Sequence, residues 1–296
     1  MKQLIVIAGP TAIGKTAVAI DVARQLHTEI ISFDSRQFYK ELNIGVARPT
    51  DEELSSVKHH FIANRSVTNP YNFSSYEHEA LRVVDELLDK YGVAVAVGGS
   101  GMYMQALTQG INTMPDPSPE LRRKLKEKIA REGLEPLLQE LKTADPDYYN
   151  LVDKKNPVRI QRAMEVILTT GTPYSKVISE PRAKRAFSAT IVALDCERTM
   201  LRERINTRTD KMIAQGQVDE ARSLTGLRHL NTLNTVGYEE LFEYFDGTVS
   251  LADAITKIKN HTWQYAKKQI TWLKRDSCVK WVERDNTSVI VSLARV

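Results

Sequence analysis

The segment GPTAIGKT, from Gly9 to Thr16, constrains the fold more than any other part of the sequence. It fits the pattern G-x-x-x-x-G-K-T, follows the apolar run LIVIA and precedes a helical pattern. A glycine-rich turn between a buried strand and a helix directs backbone N–H groups and the positive end of the helix dipole at an anion. The segment therefore predicts a phosphate-binding loop, in which Lys15 supplies a charge and the Thr16 hydroxyl a ligand for Mg²⁺.

Strands and helices alternate around this loop, which is typical of an α/β protein with a parallel sheet. Apolar runs predict strands in LIVIA, EIISFDS, VAVAVGGSG and ATIVALDC, and a last strand-like stretch in SVIVSLA. Helical patterns cover Thr16–Leu26 and Ser74–Tyr91. The second helix has a potential capping box of Ser74 and Glu77 and a stop signal at Gly92.

The composition changes near Met114, where three prolines precede a charged helical pattern. From there to about Pro181 helical patterns dominate and no buried strand is predicted. We therefore expect a helical insertion at 116–185 inside an α/β core formed by 1–115 and 186–296.

Composition excludes several classes of protein. The chain has 296 residues and a formal net charge of +4, which does not by itself identify a nucleic-acid-binding protein. Its two cysteines, Cys196 and Cys278, are far apart and suit a reducing compartment better than a disulfide framework or a zinc site. No apolar run approaches the roughly 20 residues that span a bilayer. We expect a soluble, cytoplasmic protein without a membrane partner.

Asp34 is the strongest candidate for a catalytic carboxylate, because it ends the second predicted strand. In doubly wound sheets ligands bind beyond the carboxyl ends of the strands, so Asp34 would face the phosphate loop and could accept a proton. A turn-forming role fits the dipeptide Asp-Ser as well. Asp34 and Asp195 are also the two candidates for holding Mg²⁺. The strand VAVAVGGSG ends in glycines, which argues against a motor ATPase.

The segment NHTWQYAKKQITWLKR, at 260–275, interleaves aromatic and basic residues and contains no acidic residue. Such a segment suits phosphates and unstacked bases, although an amphipathic helix with buried tryptophans explains it equally well. Arg204 and Arg208 would share one helix face and could close over an anion, or simply be solvated. For His59 and His60 we favour a structural or substrate-contact role over metal binding.

Eight segments, taken together and in this order, resemble the bacterial type of the tRNA dimethylallyltransferase (tRNA isopentenyltransferase) family. They are GPTAIGKT, DSRQFY, GVARP, HHFI, GGSGMY, NPVRIQRAMEV, TVGYEE and YAKKQITWLKR, and they span nearly the whole chain. The family has a phosphate-loop α/β core with a helical insertion. It transfers a dimethylallyl group from dimethylallyl diphosphate to N6 of adenine 37, next to the tRNA anticodon, with the assistance of Mg²⁺.

The resemblance implies roles for individual residues. Asp34 would be the general base, Arg208 would neutralise the leaving diphosphate, and Ser100 would offer its hydroxyl to the substrate. The diphosphate would be held by Gly9, Pro10, Thr11, Ala12, Ile13, Gly14, Lys15 and Thr16, with Thr16 toward Mg²⁺. The anticodon stem-loop would contact Asp34, Ser35, Arg36, Gln37, Ser100, Arg122, Arg159, Gln161, Arg162, Gly237, Tyr238, Lys267, Lys268, Gln269, Trp272 and Lys274. We expect a monomer.

The chain departs from the family pattern at two places. GGSGMY replaces GGTGLY, and it keeps a hydroxyl at Ser100 and a similar volume at Met102. GVARP replaces GTAKP, and it keeps a cation at Arg48 but has Val46 in place of a hydroxyl residue.

Three other functions fit parts of the sequence. They are prenyl transfer to free AMP, ADP or ATP, a nucleoside or metabolite kinase, and a non-catalytic RNA-binding module. The basic tail and the insertion favour an RNA acceptor over a free nucleotide. The phosphate loop together with Asp34 disfavours a purely binding module.

Overall fold

The computed structural model describes residues 2–69, 71–112 and 114–294. The chain divides into two compact units, Met1–Gln109 with Arg185–Val296, and Gly110–Lys184. The predicted insertion, 116–185, lies almost wholly within the second unit.

A parallel sheet is the framework of the larger unit. Six strands in the described residues form it, in the order β3-β2-β4-β1-β5-β6. The strands are β1 (Gln3–Ala8), β2 (Ile30–Ser32), β3 (His59–His60), β4 (Val93–Val97), β5 (Ser188–Asp195) and β6 (Lys280–Glu283). This architecture confirms the predicted α/β class.

The helices of the larger unit connect these strands and cover both faces of the sheet. They are α1 (Lys15–Gln25), α2 (Asp51–Ser56), α3 (Phe73–Tyr91), α4 (Gly101–Gln109), α10 (Arg198–Ala214), α11 (Gln217–Ser223), α12 (Glu239–Phe245), α13 (Leu251–Leu273) and α14 (Thr287–Ser292). Central strands β1 and β4 are buried along their whole length, as expected when parallel strands are covered on both faces. Two hydrophobic cores result, one built around Phe38 and Tyr76 and the other around Ile5 and Val22.

One predicted strand is wrong. SVIVSLA is not a strand, because residues 287–292 form helix α14. Its Ile290 is buried in the second core, and the side-chain amide of Gln3 donates a 3.0 Å hydrogen bond to the carbonyl of Leu293 just after it. Packing against α1 and β1 therefore overrides the strand preference of this β-branched run. Two observed strands, β3 and β6, were not predicted from the sequence.

The start of α3 also differs from the prediction. Asn72, not Ser74, is the N-cap, and its side chain accepts a 2.8 Å hydrogen bond from the N–H of Ser75. The predicted capping box of Ser74 and Glu77 is therefore wrong, since Ser74 already lies inside the helix. Glu77 instead pairs with Arg185. The predicted stop at Gly92 is confirmed, with this glycine in the left-handed conformation at φ 74°.

The smaller unit is helical throughout its regular elements. Its helices are α5 (Pro119–Glu132), α6 (Glu135–Ala144), α7 (Pro146–Leu151), α8 (Pro157–Thr170) and α9 (Tyr174–Ser179). Prolines open four of the five near their first turn, where the missing N–H costs nothing. Leu137, Leu141 and Ile160 have no exposed surface and centre its own core.

Within the described part of the chain, no helix combines the length and the apolar character that crossing a membrane requires.

Candidate active site

The predicted phosphate loop joins β1 to α1, as the sequence pattern requires. Gly9 and Gly14 have φ of 145° and 99°, conformations that L-residues with a Cβ rarely adopt. Ala12 is left-handed as well, with φ 67°, so the turn holds a non-glycine residue in a costly conformation. The Lys15 ammonium donates a 2.9 Å hydrogen bond to the carbonyl of Pro10, across the loop. The loop is thus a tight turn that ends at the start of a helix.

Two helices from the second half of the chain hold this loop. From α10, Arg208 donates a 2.7 Å hydrogen bond to the Thr11 hydroxyl, and Arg204 donates one of 2.8 Å to the carbonyl of Ala12. From α13, Gln269 accepts a 2.8 Å hydrogen bond from the N–H of Thr11. Its amide nitrogen donates another of 2.8 Å to the carbonyl of Gly99. Gln269 therefore links the loop after β1 to the loop after β4.

The site carries concentrated positive charge. Burial lowers the pKa of Lys15 to about 8, and Arg208 adds to this lowering while Asp34 opposes it. Burial also lowers the pKa of Arg208 to about 10, again against the attraction of Asp34. A buried cation loses hydration, and a bound anion would restore a favourable environment for it. These groups therefore favour an anionic ligand at the loop.

Asp34 follows β2 at the same edge of the sheet as the phosphate loop. Its Oδ1 accepts a 3.0 Å hydrogen bond from the N–H of Arg36. Asp34 therefore makes the kind of turn-forming contact that the dipeptide Asp-Ser suggested. The next residue is held by Ser100, whose hydroxyl accepts a 3.1 Å hydrogen bond from the N–H of Ser35 and also lies 3.1 Å from the Ser35 hydroxyl. Through Ser35, Ser100 of the loop after β4 is thus brought beside the segment that carries Asp34.

An apolar cavity of about 200 Å³ adjoins the phosphate loop. Gly9 of the loop and Gln269, which is hydrogen-bonded to Thr11, line it together with Lys268. The apolar wall is formed by Phe33, Met102, Met104, Tyr265, Trp272 and Leu273. The cavity therefore offers an apolar ligand group a place directly beside an anion site.

Glycines allow this wall to approach the backbone closely. A Cβ on Gly98 would lie 2.4 Å from the Phe33 ring, and one on Gly101 would lie 2.7 Å from the Trp272 ring.

Tyr265 links the apolar wall of the cavity to the polar side of the site. Burial and the nearby Asp34 carboxylate raise the pKa of its phenol to about 12, against a lowering by its hydrogen bond with Ser100.

The DSRQ segment and the TVGY segment contain residues that were predicted to contact RNA. Several of these residues make hydrogen bonds within the protein instead. Arg36 donates hydrogen bonds of 3.0 and 2.9 Å to the carbonyls of Thr232 and Asn234. Gln37 donates to two backbone carbonyls of the loop that follows it. Tyr238 has no exposed surface, and the Gly237 N–H donates 2.7 Å to the buried carboxylate of Glu240. The side chain of Tyr238 is therefore a support and not a contact surface.

The predicted RNA-contacting side chains of α13 have different environments. Lys267 and Lys268 are exposed, and Lys274 lies at the exposed end of the helix. Trp263 and Trp272 pack partly against the two cores of the sheet. Both sequence interpretations of this segment thus describe part of it, since the aromatic rings pack inward while the lysines remain in solvent.

In the smaller unit, three predicted RNA-contacting residues converge on Glu165, a buried carboxylate of α8. Gln161 donates to it at 2.8 Å, and Arg162 and Arg122 lie 3.4 and 3.5 Å from it. Arg159, on the same helix, is exposed.

The two adjacent histidines have structural partners. His60 Nε2 lies 2.7 Å from Glu29, and His59 Nδ1 lies 2.7 Å from the carbonyl of Val57. Among the described residues no group of three or more histidine, cysteine or acidic side chains could hold a metal ion. The structural interpretation of this pair is therefore the one that the contacts support.

One support of the phosphate loop, Gln269, was assigned to RNA binding from the sequence alone. The pairing of Arg204 with Arg208 on one helix face, which their spacing suggested, brings both arginines against the loop. No local signal marks Gln269, since its partner Thr11 is 258 residues away.

Comparison with known proteins assigns the family. The family model described as IPP transferase matches residues 37–276. The chain belongs to the IPP transferase family. It is 45% identical over 285 residues to tRNA dimethylallyltransferase of Christiangramia forsetii, covering 96% of this chain and 94% of that protein. It is 46% identical over 286 residues to tRNA dimethylallyltransferase 2 of Azobacteroides pseudotrichonymphae, covering 97% and 93%. Its relatives are transferases, and so is this chain.

Solved structures agree with this assignment. The tRNA isopentenylpyrophosphate transferase of Bacillus halodurans has a TM-score of 0.73 and 30% identity, over 99% of this chain and 95% of that one. A eukaryotic dimethylallyltransferase acting on tRNA has a TM-score of 0.81 at 24% identity, over 96% of this chain and 74% of that one, and this likeness concerns the fold. The predicted phosphate-loop α/β fold is confirmed.

Proposed function

We propose that this enzyme transfers the dimethylallyl group of dimethylallyl diphosphate to N6 of adenine 37 in tRNA. The observation that carries the proposal is the apolar cavity directly beside the phosphate loop. Gly9 belongs to both, and Gln269 lines the cavity while it holds Thr11 of the loop by a hydrogen bond. A diphosphate on the loop and a short branched hydrocarbon in the cavity would occupy the two parts together. This arrangement favours an alkyl diphosphate over a nucleotide, whose ribose and base need polar partners.

The loop and its arginine would stabilise the leaving group. As the bond between C1 and the diphosphate oxygen breaks, negative charge accumulates on the diphosphate. Lys15, Arg208 and the N–H groups of the loop would stabilise that charge, and because Lys15 and Arg208 are already held against the loop by hydrogen bonds, little reorganisation would be needed during the reaction. The pKa values of Lys15 and Arg208 are lowered mainly because both cations are poorly hydrated before the substrate binds.

Asp34 would accept the proton that the N6 amine loses. The amine is a weak nucleophile, because its lone pair is delocalised into the adenine ring. N6 forms a bond to C1, the diphosphate leaves, and the N6 proton passes to the carboxylate of Asp34. Because Oδ1 of Asp34 is engaged by the N–H of Arg36, Oδ2 is the oxygen better placed to take the proton. Ser100 would fix the neighbouring Ser35 and the phenol of Tyr265 around the acceptor.

Mg²⁺ fits the oxygen donors at this site. The Thr16 hydroxyl, in the first turn of α1, is a hard oxygen ligand of the type that Mg²⁺ prefers. Thr16 would hold it, and substrate phosphates and water would supply most of its remaining ligands. When bound, the ion neutralises charge on the leaving diphosphate.

The acceptor would be the anticodon stem-loop. The exposed lysines of α13 and the exposed Arg159 are suited to backbone phosphates. The target adenine must leave its stack to reach Asp34, so base flipping is part of the proposal. The helical unit, 110–184, would serve as a second RNA-binding surface.

A transfer assay tests the proposal. The enzyme is incubated with dimethylallyl diphosphate, Mg²⁺ and unmodified tRNA, and the digested nucleosides are analysed by mass. We expect isopentenyladenosine with the natural tRNA and none with a transcript in which guanine replaces adenine 37. Comparable transfer to free AMP would contradict the RNA acceptor, and turnover of ATP without dimethylallyl diphosphate would favour a kinase.

A further inference from the structure

The side-chain amide of Gln37 is held in a single orientation. Its Nε2 donates to the carbonyls of Val46 at 3.2 Å and Ala47 at 2.9 Å. Both partners are acceptors, so the nitrogen must face them and Oε1 must face away. An amide oxygen only accepts hydrogen bonds, and a nucleobase reads it through a donor such as an exocyclic amine. The direction of Oε1 therefore determines which base edge Gln37 can read.

The two carbonyls belong to a tight loop at 43–48, named here the Gln37 support loop. The N–H of Ala47 donates 3.0 Å to the carbonyl of Ile44, and that of Arg48 donates 3.1 Å to the carbonyl of Asn43. Ala47 is left-handed, with φ 48°. A non-glycine residue keeps this conformation only where its surroundings hold it there. The loop thus depends on external support.

The Glu220 carboxylate, on α11, supplies that support. Its Oε2 accepts hydrogen bonds from the N–H groups of Asn43 at 3.1 Å and Ile44 at 2.8 Å. Its Oε1 accepts one of 2.9 Å from the N–H of Gly45 and one of 2.6 Å from the Tyr238 hydroxyl. A carboxylate has about four acceptor positions, so these four hydrogen bonds use the full acceptor capacity of Glu220.

Tyr238 fixes the carboxylate from the other side. Its ring has no exposed surface, and a Cβ on Gly45 would lie 2.6 Å from its hydroxyl oxygen. Gly45 therefore allows the support loop to pack directly on the phenol. This contact gives the TVGY segment a role that does not require it to touch RNA.

We infer that Glu220 is a positioning residue for RNA recognition, which acts on the acceptor strand through the support loop and Gln37. The inference rests on the proposed function for the nature of the ligand. Glu220 would not touch the substrate. By closing the loop, it would hold the carbonyls of Val46 and Ala47 where they orient Oε1 of Gln37 toward the amine of a base.

A double-mutant cycle on the full chain tests this inference. The variants are Glu220→Gln, Gln37→Ala and the double variant, with Asp219→Asn as a matched control on an exposed residue of the same helix. The measurements are the Kd for an unmodified anticodon stem-loop and the KM values for that RNA and for dimethylallyl diphosphate. Glu220→Gln replaces one carboxylate oxygen with an N–H₂ group, which cannot accept hydrogen bonds. About half of the four hydrogen bonds to the support loop and Tyr238 would therefore be lost.

We expect Glu220→Gln to raise the Kd and KM for the stem-loop about tenfold, the usual effect of losing hydrogen bonds to a charged group. The KM for dimethylallyl diphosphate should stay within about twofold, and the control should match the wild type. The double variant should bind RNA no more weakly than Gln37→Ala alone. Effects that multiply, or an equal rise in the KM for dimethylallyl diphosphate, would overturn the inference.

Two further arms keep the outcomes distinct. If Glu220→Gln lowers the melting temperature markedly, Tyr238→Phe replaces it in the cycle, because this variant removes one of the four donors and keeps the ring. Its expected loss of RNA affinity is about threefold, and it should vanish in the Gln37→Ala background. If the wild type binds the stem-loop but transfers nothing, the proposed function fails while the Kd cycle still decides the role of Glu220.

Discussion

Arg208 donates a 2.7 Å hydrogen bond to the hydroxyl of Thr11, although 197 residues separate the two in sequence. The contact places a half-buried guanidinium at the phosphate loop before any anion arrives. Such a group stabilises developing charge at little cost, because it does not have to be moved during the reaction. The same contact fixes the conformation of the loop, so its removal should affect the chemical step more than the affinity for RNA.

Replacing Arg208 tests this assignment. We expect Arg208→Gln to lower kcat for dimethylallyl transfer by about 10²- to 10³-fold, the usual loss when one preorganised donor is removed. The Kd for the stem-loop should change by less than about twofold. Arg198→Gln, an equal change of charge at an exposed position of α10, is the control and should retain full activity. A variant with normal kcat would show that Arg208 only supports the loop.

Anion affinity should depend on the protonation of Lys15. Its pKa of about 8 means that the free enzyme loses this charge as the pH rises through 8. The neighbouring Arg208, with a pKa of about 10, stays charged over the same range. Sulfate is the suitable probe, because its own charge is constant there. Calorimetric titration should show binding about fivefold weaker at pH 9 than at pH 8.

Lys15→Arg provides the comparison for that titration. The unperturbed pKa of arginine lies above about 12, so an arginine at this position should keep its proton through pH 9, and the sulfate affinity of this variant should be nearly flat between pH 7 and 9. Equal pH dependence in both proteins would mean that another group titrates.

Prediction from sequence worked where the information is local. Strand β1 and the phosphate loop are specified by neighbouring residues, namely an apolar run followed by glycines at fixed spacing. The helix that replaces the predicted strand in SVIVSLA shows the limit, because a short β-branched run fits either state until its packing partners are known. Asn72 could not be distinguished from Ser74 as a cap for a related reason, since both are good N-cap residues two positions apart.

Long-range contacts explain what sequence analysis could not provide at the site. The expectation that Asp34 faces the phosphate loop followed from the topology of a parallel sheet, whereas the role of Ser100 was implied only by the family resemblance. The position of Gln269 against Thr11 depends on how α13 packs across the sheet, and no spacing in the sequence encodes it. The burial of Tyr238 is similar, because its motif suggested RNA contact while its phenol serves Glu220.

Substituting Asp34 separates catalysis from binding. We expect Asp34→Asn to lower turnover by about 10²- to 10⁴-fold, the range attributed to a general base. The Kd for tRNA should stay within about twofold, because an asparagine oxygen can still accept the hydrogen bond from the N–H of Arg36. Asp219→Asn, the same change at an exposed position of α11, is the matched control and should remain active. Loss of tRNA binding in Asp34→Asn would show that the carboxylate is structural.

Salt dependence tests the exposed lysines of α13. Lys268 is exposed beside the apolar cavity, so a phosphate contact there would release about one counterion on binding. We expect Lys268→Ala to weaken tRNA binding and to reduce the slope of log K against log salt concentration by about 1. Lys257→Ala, on the same helix but paired with Glu243, should leave the slope unchanged. An unchanged slope for Lys268→Ala would mean that α13 presents its lysines to solvent only, and that the tryptophans alone explain the composition of this segment.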